Sequence, residues 1–431
     1  MSIPKPPPDH CTILYFAAAT SYTKKQYDHL PAPFYVSRLP DVLEERYPGI
    51  KSKVLVSCAI TVNLDYVDLE EEADKDNDGL LITAGDEVAV IPPSQSQSVE
   101  PSMSPRATTV TYKTVGKLDI PLDIYLPEQP TSPPPVFLWF HGGGLLQGHR
   151  SKVPPHFLRS ISKYNIALIS ADYRLAPQVG VQDIFEDVKD CIAFIRNQSG
   201  LVKHLDASAK IDTSRLAVSG SSAGGYLAFL AGLYVDPKPN VILPIYPITD
   251  PLGYFFTTPQ PGPLFRDGGE VSSTPPKEAL KAMLEEGNEA EVPAAFRDPK
   301  AEIVANNSPD SARNKMYGYM LAAANLAELL HLNVGEDSYR DPENNKWRVA
   351  KSVAAHGLPP TYVVHGDVDR AVGVDQADEV VGVCVGEGMN IQYERLQGKD
   401  HLFDVFNEQE DMEGMYAFMT KHLGAATSGK L

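Results

Sequence analysis

The sequence predicts two domains: a small α+β domain, followed by a larger α/β domain with a mostly parallel sheet and helices on both faces. Three observations support this. Residues 92–106, PPSQSQSVEPSMSPR, have the composition of a solvated linker. Before this linker, one helix-like stretch lies among short strand-like runs. After the linker, strands and helices alternate. We therefore expect domains at 10–93 and 107–425, joined by a linker at 94–106.

The composition is that of a globular protein without a membrane span. The chain has 431 residues, 43% hydrophobic and 22% charged, and its four cysteines show no paired spacing. No run approaches the roughly 18 apolar residues of a membrane helix, and the N-terminus lacks the pattern of a targeting signal. A net charge of -18 disfavours nucleic acids and anionic lipids as partners. We expect a cytoplasmic enzyme that uses no metal and no cofactor.

In the N-terminal domain, apolar runs and turn residues mark the predicted elements. We expect strands at 12–16, 54–62 and 88–91, a helix at 39–47, and turns at 63–67 and 84–87.

In the C-terminal domain, short apolar runs predict buried strands at 136–140, 166–170, 216–218, 241–243 and 362–364. Apolar residues at helical spacing predict a helix over 181–197. Residues 251–350 interrupt the alternation with proline-rich loops and one helix around 315–330, so we expect an insertion that covers the sheet.

The sharpest local motif is Gly-x-Ser-x-Gly at residues 220–224, centred on Ser222. A serine on a tight strand-to-helix turn has a strained backbone, and glycines two positions away avoid collisions there. The five residues alone fit a simple glycine-serine turn equally well. The strand before them and the helix after them favour a nucleophile.

A second motif, His-Gly-Gly-Gly at residues 141–144, follows the first predicted strand. Consecutive glycines leave backbone N–H groups unshielded, which suits an oxyanion hole. The amide of Ala223, directly after the proposed nucleophile, would complete it. The alternatives are a flexible loop and a phosphate-binding loop, but the lysine and glycine spacing of phosphate loops are missing.

Ser222 needs a base, and the base needs an orienting acid. His401 lies in a polar loop after the strand-like run 391–396 and is the candidate base. Asp369 follows another strand and is the candidate acid, with Asp367 as the reserve. The chain order serine, aspartate, histidine is the order of the fold that carries this serine motif.

Five ordered motifs together resemble the α/β-hydrolase family akin to hormone-sensitive lipase: HGGG (141–144), DYRLAP (172–177), GSSAGG (220–225), GDVD (366–369) and KDHLF (399–403). The resemblance covers about 106–425. It implies a carboxylester hydrolase with Ser222 as nucleophile, His401 as base and Asp369 as its partner. It also implies oxyanion donors at Gly143 and Gly144 beside Ala223, and a cap at 251–350. Esterase, lactonase, amidase and deacetylase activities stay open.

The N-terminal domain resembles another family, the sulfur-carrier (small) subunit of molybdopterin synthase, which is a ubiquitin-like β-grasp domain. The matching segments are ILYFA (13–17), the helix at 41–48, VNLDYV (62–67) and GDEVAVIPP (85–93). Such carriers end in a free diglycine shortly after the two prolines. Here SQSQ follows, and no diglycine occurs before residue 142. The resemblance therefore implies a role in molybdenum-cofactor biosynthesis by docking to the large subunit of the synthase, without sulfur transfer. The alternatives are a relic domain and an artefact of how the sequence was assembled.

The sequence permits two further interpretations. Residues 74–79, DKDNDG, have alternating oxygen ligands like the start of a calcium loop, but Gly85 stands where the loop needs glutamate, so a solvated acidic loop is favoured. The larger domain could also be a binding protein on a hydrolase fold with an unused serine, which the complete set of motifs argues against.

Overall fold

In the computed structural model, residues 5–55, 58–63, 65–67, 69, 72, 79–91, 107–205, 210–260, 264–266, 269–271, 313–407 and 409–424 are described. The predicted linker, the calcium-like residues 74–78 and residues 272–312 of the predicted cap lie outside them. The chain divides into two compact units, Met1–Ser102 and Met103–Leu431.

The N-terminal unit contains a five-stranded β-grasp sheet. The strands of this unit are β1 (His10–Tyr15), β2 (Tyr27–Pro31), β3 (Phe34–Tyr35), β4 (Ala59–Val62), β5 (Asp65–Val67), β6 (Leu81–Ile82) and β7 (Glu87–Ile91). Strands β3 and β6 form a separate pair, and the other five form the sheet. The order is β2-β1-β7-β4-β5, with β1 parallel to β7 and the other pairs antiparallel. The helices are Ala17–Thr23, Leu39–Arg46 and Ile50–Lys53, with a 3-10 helix at Val36–Arg38.

The helix Leu39–Arg46 packs onto this sheet because Leu39 and Leu43, one turn apart, are both fully buried against it. Two predictions here were wrong. The predicted strand 54–62 begins only at Ala59, since Val54 ends a short helix by donating to the Ile50 carbonyl at 2.9 Å. The predicted turn 63–67 contains strand β5.

The C-terminal unit contains an eight-stranded, mostly parallel sheet. Its strands are β8 (Thr108–Val115), β9 (Leu118–Tyr125), β10 (Pro135–Phe140), β11 (Ala167–Ala171), β12 (Asp212–Ser221), β13 (Val241–Ile245), β16 (Thr361–Gly366) and β17 (Ile391–Leu396). The order is β17-β16-β13-β12-β10-β11-β9-β8, and only β8 and β9 pair antiparallel with their neighbours. Two more strands, β14 (Leu264–Arg266) and β15 (Gly269–Val271), form a separate hairpin.

Helices cover both faces of the large sheet, as the α/β-hydrolase fold requires. They span Pro155–Lys163, Val181–Arg196, Gln198–Val202, Ala223–Tyr234, Tyr254–Thr257, Met316–Ala323, Leu326–Leu329, Pro342–Asn345, Val349–His356, Asp375–Gly386, Phe403–Phe406 and Glu413–Leu423, with 3-10 helices at Arg313–Lys315 and Ser338–Arg340. Along β10, Leu138 belongs to the apolar core that includes the helix Val181–Arg196, whereas Trp139 belongs to the core on the other face, which includes the helix Glu413–Leu423.

The helix predicted around 315–330 is broken in the structure. It ends at Ala323, Ala324 adopts a left-handed φ of 53°, and a second short helix spans Leu326–Leu329. Both pieces bury apolar side chains in one core, so the apolar pattern continues across the break. Among the described residues, no helix is long and apolar enough to span a membrane.

Candidate active site

Ser222 occupies the turn between β12 and the helix Ala223–Tyr234. Its backbone has φ 58° and ψ -116°, a strained conformation for a residue with a Cβ. A Cβ on Gly220 would collide with the Gly224 backbone, and a Cβ on Gly224 would collide with the Phe140 carbonyl. The two glycines therefore allow the close packing of strand and helix that holds the serine in place.

The glycine loop after β10 lies against this turn. A Cβ on Gly142 would stand 3.2 Å from the Ser222 Cβ, and Gly143 and Gly144 have φ values of 109° and 70°. In the described part of the chain, no hydrogen bond uses the amide N–H of Gly143, Gly144 or Ala223. Three free amides thus lie on the two segments that flank the serine, which is the requirement for an oxyanion hole.

His141 fixes the start of that loop. Its ring stacks on Tyr173 with centroids 4.3 Å apart, and its Nδ1 lies 2.8 Å from the Gly142 carbonyl oxygen. The Tyr173 hydroxyl donates to the His141 carbonyl at 2.8 Å. Burial lowers the pKa of His141 to about 4, so the ring is neutral at pH 7. Tyr173 belongs to the DYRLAP motif, whose physical role the sequence alone did not reveal.

The candidate acid and base meet at the carboxyl ends of β16 and β17. His401 Nδ1 lies 2.7 Å from Asp369 Oδ2, and because an ionised carboxylate only accepts, this nitrogen carries the proton. The other Asp369 oxygen accepts the amides of Ala371 at 2.9 Å and Val372 at 2.8 Å. The reserve candidate, Asp367, instead accepts the Gly398 amide at 2.6 Å.

A second imidazole contacts the same carboxylate. His365 Nε2 lies 3.2 Å from Asp369 Oδ2 and 3.0 Å from the Val372 carbonyl oxygen, so it donates to both. Burial by itself raises the pKa of Asp369, but the charge of His401 and the hydrogen bonds from both histidines outweigh it and lower that pKa. Asp369 therefore stays ionised. His365 was missed, although a histidine near the end of a buried strand is a signal that could have found it.

Tyr246 links the serine to the histidine. The Ser222 amide donates to the Ile245 carbonyl at 2.8 Å, and the ring of the next residue, Tyr246, lies 4.4 Å from the His401 ring between centroids. The same segment therefore contacts the backbone of Ser222 and the ring of His401. The structure contains no hydrogen bond between the Ser222 hydroxyl and the His401 ring; such contacts often tighten only with substrate bound.

Behind Tyr246 lies a fully buried polar cluster. The Tyr246 hydroxyl donates to Asp404 Oδ1 at 2.5 Å, and His156 Nε2 donates to Asp404 Oδ2 at 3.1 Å. His156 Nδ1 lies 2.8 Å from the Tyr416 hydroxyl oxygen. The cluster fixes the ring that packs on His401. Among the described residues, this cluster included, no group of three or more histidine, cysteine, aspartate or glutamate side chains could hold a metal ion.

Tyr317, in the region predicted as a cap, ties two parts of the site together. A Cβ on Gly144 would collide with its ring, and its amide donates to Gln147 Oε1 at 3.1 Å. Its hydroxyl donates to the Ala371 carbonyl at 2.7 Å, next to the acid loop. No local sequence pattern could have identified this residue, because its contacts are distant in sequence.

The N-terminal unit has close relatives of known name. It matches the molybdopterin synthase sulfur carrier subunit of Phaeosphaeria nodorum with 53% identity over 96 residues, which is 22% of this chain and 99% of that protein. Through this unit, the chain belongs to the sulfur carrier subunit family. The corresponding protein of Emericella nidulans is 54% identical to the carrier domain over 85 residues, or 20% of this chain and 93% of that protein.

For the C-terminal unit, a family model described as BD-FAE matches residues 122–241, which include the glycine loop and Ser222. A thermophilic esterase from Thermogutta terrifontis is 18% identical with a TM-score of 0.47, over 76% of this chain and 95% of that chain. The non-reducing polyketide synthase Preu3 of Preussia isomera is 23% identical over 334 residues, or 71% of this chain but only 13% of that synthase. The family match supports an ester hydrolase downstream of the carrier domain.

Proposed function

We propose that the C-terminal domain is a serine hydrolase that cleaves carboxylic esters of small or medium size through an acyl-enzyme. Ser222 is the proposed nucleophile, His401 the base and Asp369 the acid. The proposal is supported by two observations, the 2.7 Å hydrogen bond between His401 and Asp369 and the strained backbone of Ser222; the hydrogen bond carries it. The BD-FAE match over 122–241 supports the same reaction class.

The proposed reaction has two halves. Because His401 Nδ1 faces Asp369, Nε2 is free to take the Ser222 proton as the serine oxygen attacks the ester carbonyl. The oxyanion that forms accepts hydrogen bonds from the amides of Gly143, Gly144 and Ala223. His401 then returns the proton to the leaving alcohol. In the second half, His401 activates a water molecule, which releases the acid from Ser222.

Ser222→Ala should abolish hydrolysis of short-chain aryl esters while the fold persists, because Ser222 supplies the bond to the acyl group. A loss of at least about a thousandfold in kcat is expected. Ser221→Ala is the matched control: the Ser221 hydroxyl accepts from Trp139 Nε1 at 3.2 Å, and Ser221 is the last residue of strand β12, directly before Ser222. If Ser222→Ala hydrolyses the aryl ester as fast as Ser221→Ala does, the assignment of Ser222 as the nucleophile is refuted.

A second function is favoured by the carrier domain, which is 53% identical to a named sulfur carrier subunit over 99% of that protein's length. We infer that this domain docks to the large subunit of molybdopterin synthase. After Pro93 the chain continues as SQSQ rather than ending in diglycine. A thiocarboxylate requires a terminal carboxyl group, so the proposed role is docking and not sulfur transfer.

A further inference from the structure

Arg313 is a buried cation whose hydrogen-bond partners among the described residues are all neutral oxygens. Its side chain is 4% exposed and donates to the Leu146 carbonyl at 3.1 Å, the Ala176 carbonyl at 2.9 Å and Gln178 Oε1 at 2.7 Å. Its Nε has no partner, and no described carboxylate pairs with it. Burial lowers the pKa of Arg313 to about 10, so the group remains charged at pH 7. A buried charge that is not neutralised is unfavourable for folding.

Two peptide units connect this charge to the glycine loop. The Leu146 carbonyl, which accepts from Arg313, shares its peptide unit with the Gln147 N–H. That N–H donates to the Gly143 carbonyl at 3.1 Å, and this carbonyl shares its peptide unit with the Gly144 N–H. The Gly144 N–H makes no hydrogen bond to any residue that the structure describes, so it is available to a substrate.

Each hydrogen bond in such a chain polarises the next, and the effect is larger where water is excluded. A cation at the Leu146 carbonyl draws electron density toward that oxygen, which makes the Gln147 N–H a stronger donor. The Gly144 N–H gains in turn through the Gly143 carbonyl. The same bonds hold both peptide planes, so the direction of the Gly144 N–H is fixed before substrate arrives.

We propose that Arg313 is a positioning residue that strengthens the oxyanion hole by polarising and orienting the Gly144 amide through these two peptide units. This inference rests on the proposed hydrolase function. This role explains why a charged side chain occupies a site where all its described partners are neutral oxygens. A neutral side chain could bind the same loops but could not polarise their peptide groups.

The test is a set of Arg313 variants assayed with a short-chain aryl ester and with a trifluoromethyl ketone, which forms an oxyanion on a serine nucleophile. Arg313→Met should lower kcat about tenfold with KM unchanged within about twofold, a smaller loss than the roughly hundredfold caused by deleting an oxyanion donor. Inhibition by the ketone should weaken by the same factor as kcat. Arg340→Met, at an arginine that is 88% exposed, should change neither.

Arg313→Gln, which can still donate to a carbonyl but has no charge, should show the same loss and replaces Arg313→Met if that variant fails to fold. Either variant retaining wild-type kcat and ketone affinity within twofold overturns the proposal. So does a rise in KM without loss of ketone affinity, since that points to loop packing alone. Wild-type protein without esterase activity refutes the hydrolase function instead, so the two failures are distinguishable.

Discussion

The fold keeps the buried His141 ring neutral at pH values at which the unfolded chain protonates it. Its side chain is nearly inaccessible, and burial lowers its pKa from 6.5 to about 4. Between these two values, the unfolded chain binds a proton at this histidine and the folded chain does not. The stability that His141 contributes is therefore complete above about pH 6.5 and is lost as pH falls toward 4.

Replacing His141 with asparagine should remove this pH dependence. Between pH 6.5 and 4.5, the free energy of unfolding should fall by about 2–3 kcal/mol less in His141→Asn than in the wild type. Urea unfolding at several pH values measures this difference, with His356→Asn, at an exposed histidine, as the control. Equal pH dependence in the wild type and His141→Asn would show that the ring is not kept neutral by the fold.

At single residues, sequence reasoning worked where local geometry sets the requirement. The Ser222 turn needs glycines at fixed positions, so the motif could be read directly. The choice of Asp369 over Asp367 depended on turn reach, and only Asp369 contacts His401 in the structure. The catalytic roles stay predictions. Tyr317 could not be predicted, because nothing local marks a residue whose partners lie elsewhere in the chain.

Between elements, one buried carboxylate anchors the DYRLAP loop to the helix Val181–Arg196. Asp187, fully inaccessible, accepts from Arg174 Nε at 2.9 Å and from the Lys113 ammonium group at 2.7 Å. Asp190, about one turn later and 51% exposed, pairs with Lys113 at 2.6 Å and with no other described residue. The two carboxylates share a helix and a partner but differ in burial.

Asp187→Ala should therefore destabilise the C-terminal domain by about 3–5 kcal/mol, because it removes the buried counter-ion of Arg174 and leaves that arginine the half-exposed Asp183, at 3.6 Å. Asp190→Ala should cost only about 0–1 kcal/mol, as is usual for an exposed pair. Denaturant unfolding of both variants checks the contrast. If the two losses are equal, the buried pair does not anchor the loop.

The strands of the large sheet were predictable because parallel strands buried on both faces read as continuous apolar runs. Two errors in predicting elements also come from reading apolar runs. The apolar run 54–62 was taken as one strand, yet its first part ends a helix, since a short apolar run fits either state. The break at Ala324 has no glycine or proline to announce it, and the core accepts both helix fragments.

For the whole molecule, the predicted β-grasp and α/β-hydrolase folds are confirmed, as is the likeness to the sulfur carrier family. Both could be predicted because each domain carries several ordered motifs whose spacing follows from its own fold. The domain limits and the linker stay predictions. The prediction for the cap at 272–312 falls outside the described residues.

The carrier domain gives a prediction for the full chain. Mixed with the large subunit of molybdopterin synthase, the protein should bind it and be displaced by an authentic sulfur carrier subunit. Mass spectrometry after incubation with the sulfur-loading system should find no thiocarboxylate, because the diglycine terminus is missing. Co-purification of the protein with the large subunit tests the binding, and addition of the authentic sulfur carrier subunit as competitor is the control. Absence of binding would remove the docking role, and a thiocarboxylate would contradict the second part.

Covalent labelling by a fluorophosphonate tests the central claim most directly, since the reagent reports only a serine that is activated in place. Peptide mapping by mass spectrometry should locate the adduct on Ser222, and His401→Gln should slow its formation by at least about a hundredfold. An adduct that maps to another residue, or a labelling rate that His401→Gln leaves unchanged, would contradict the account.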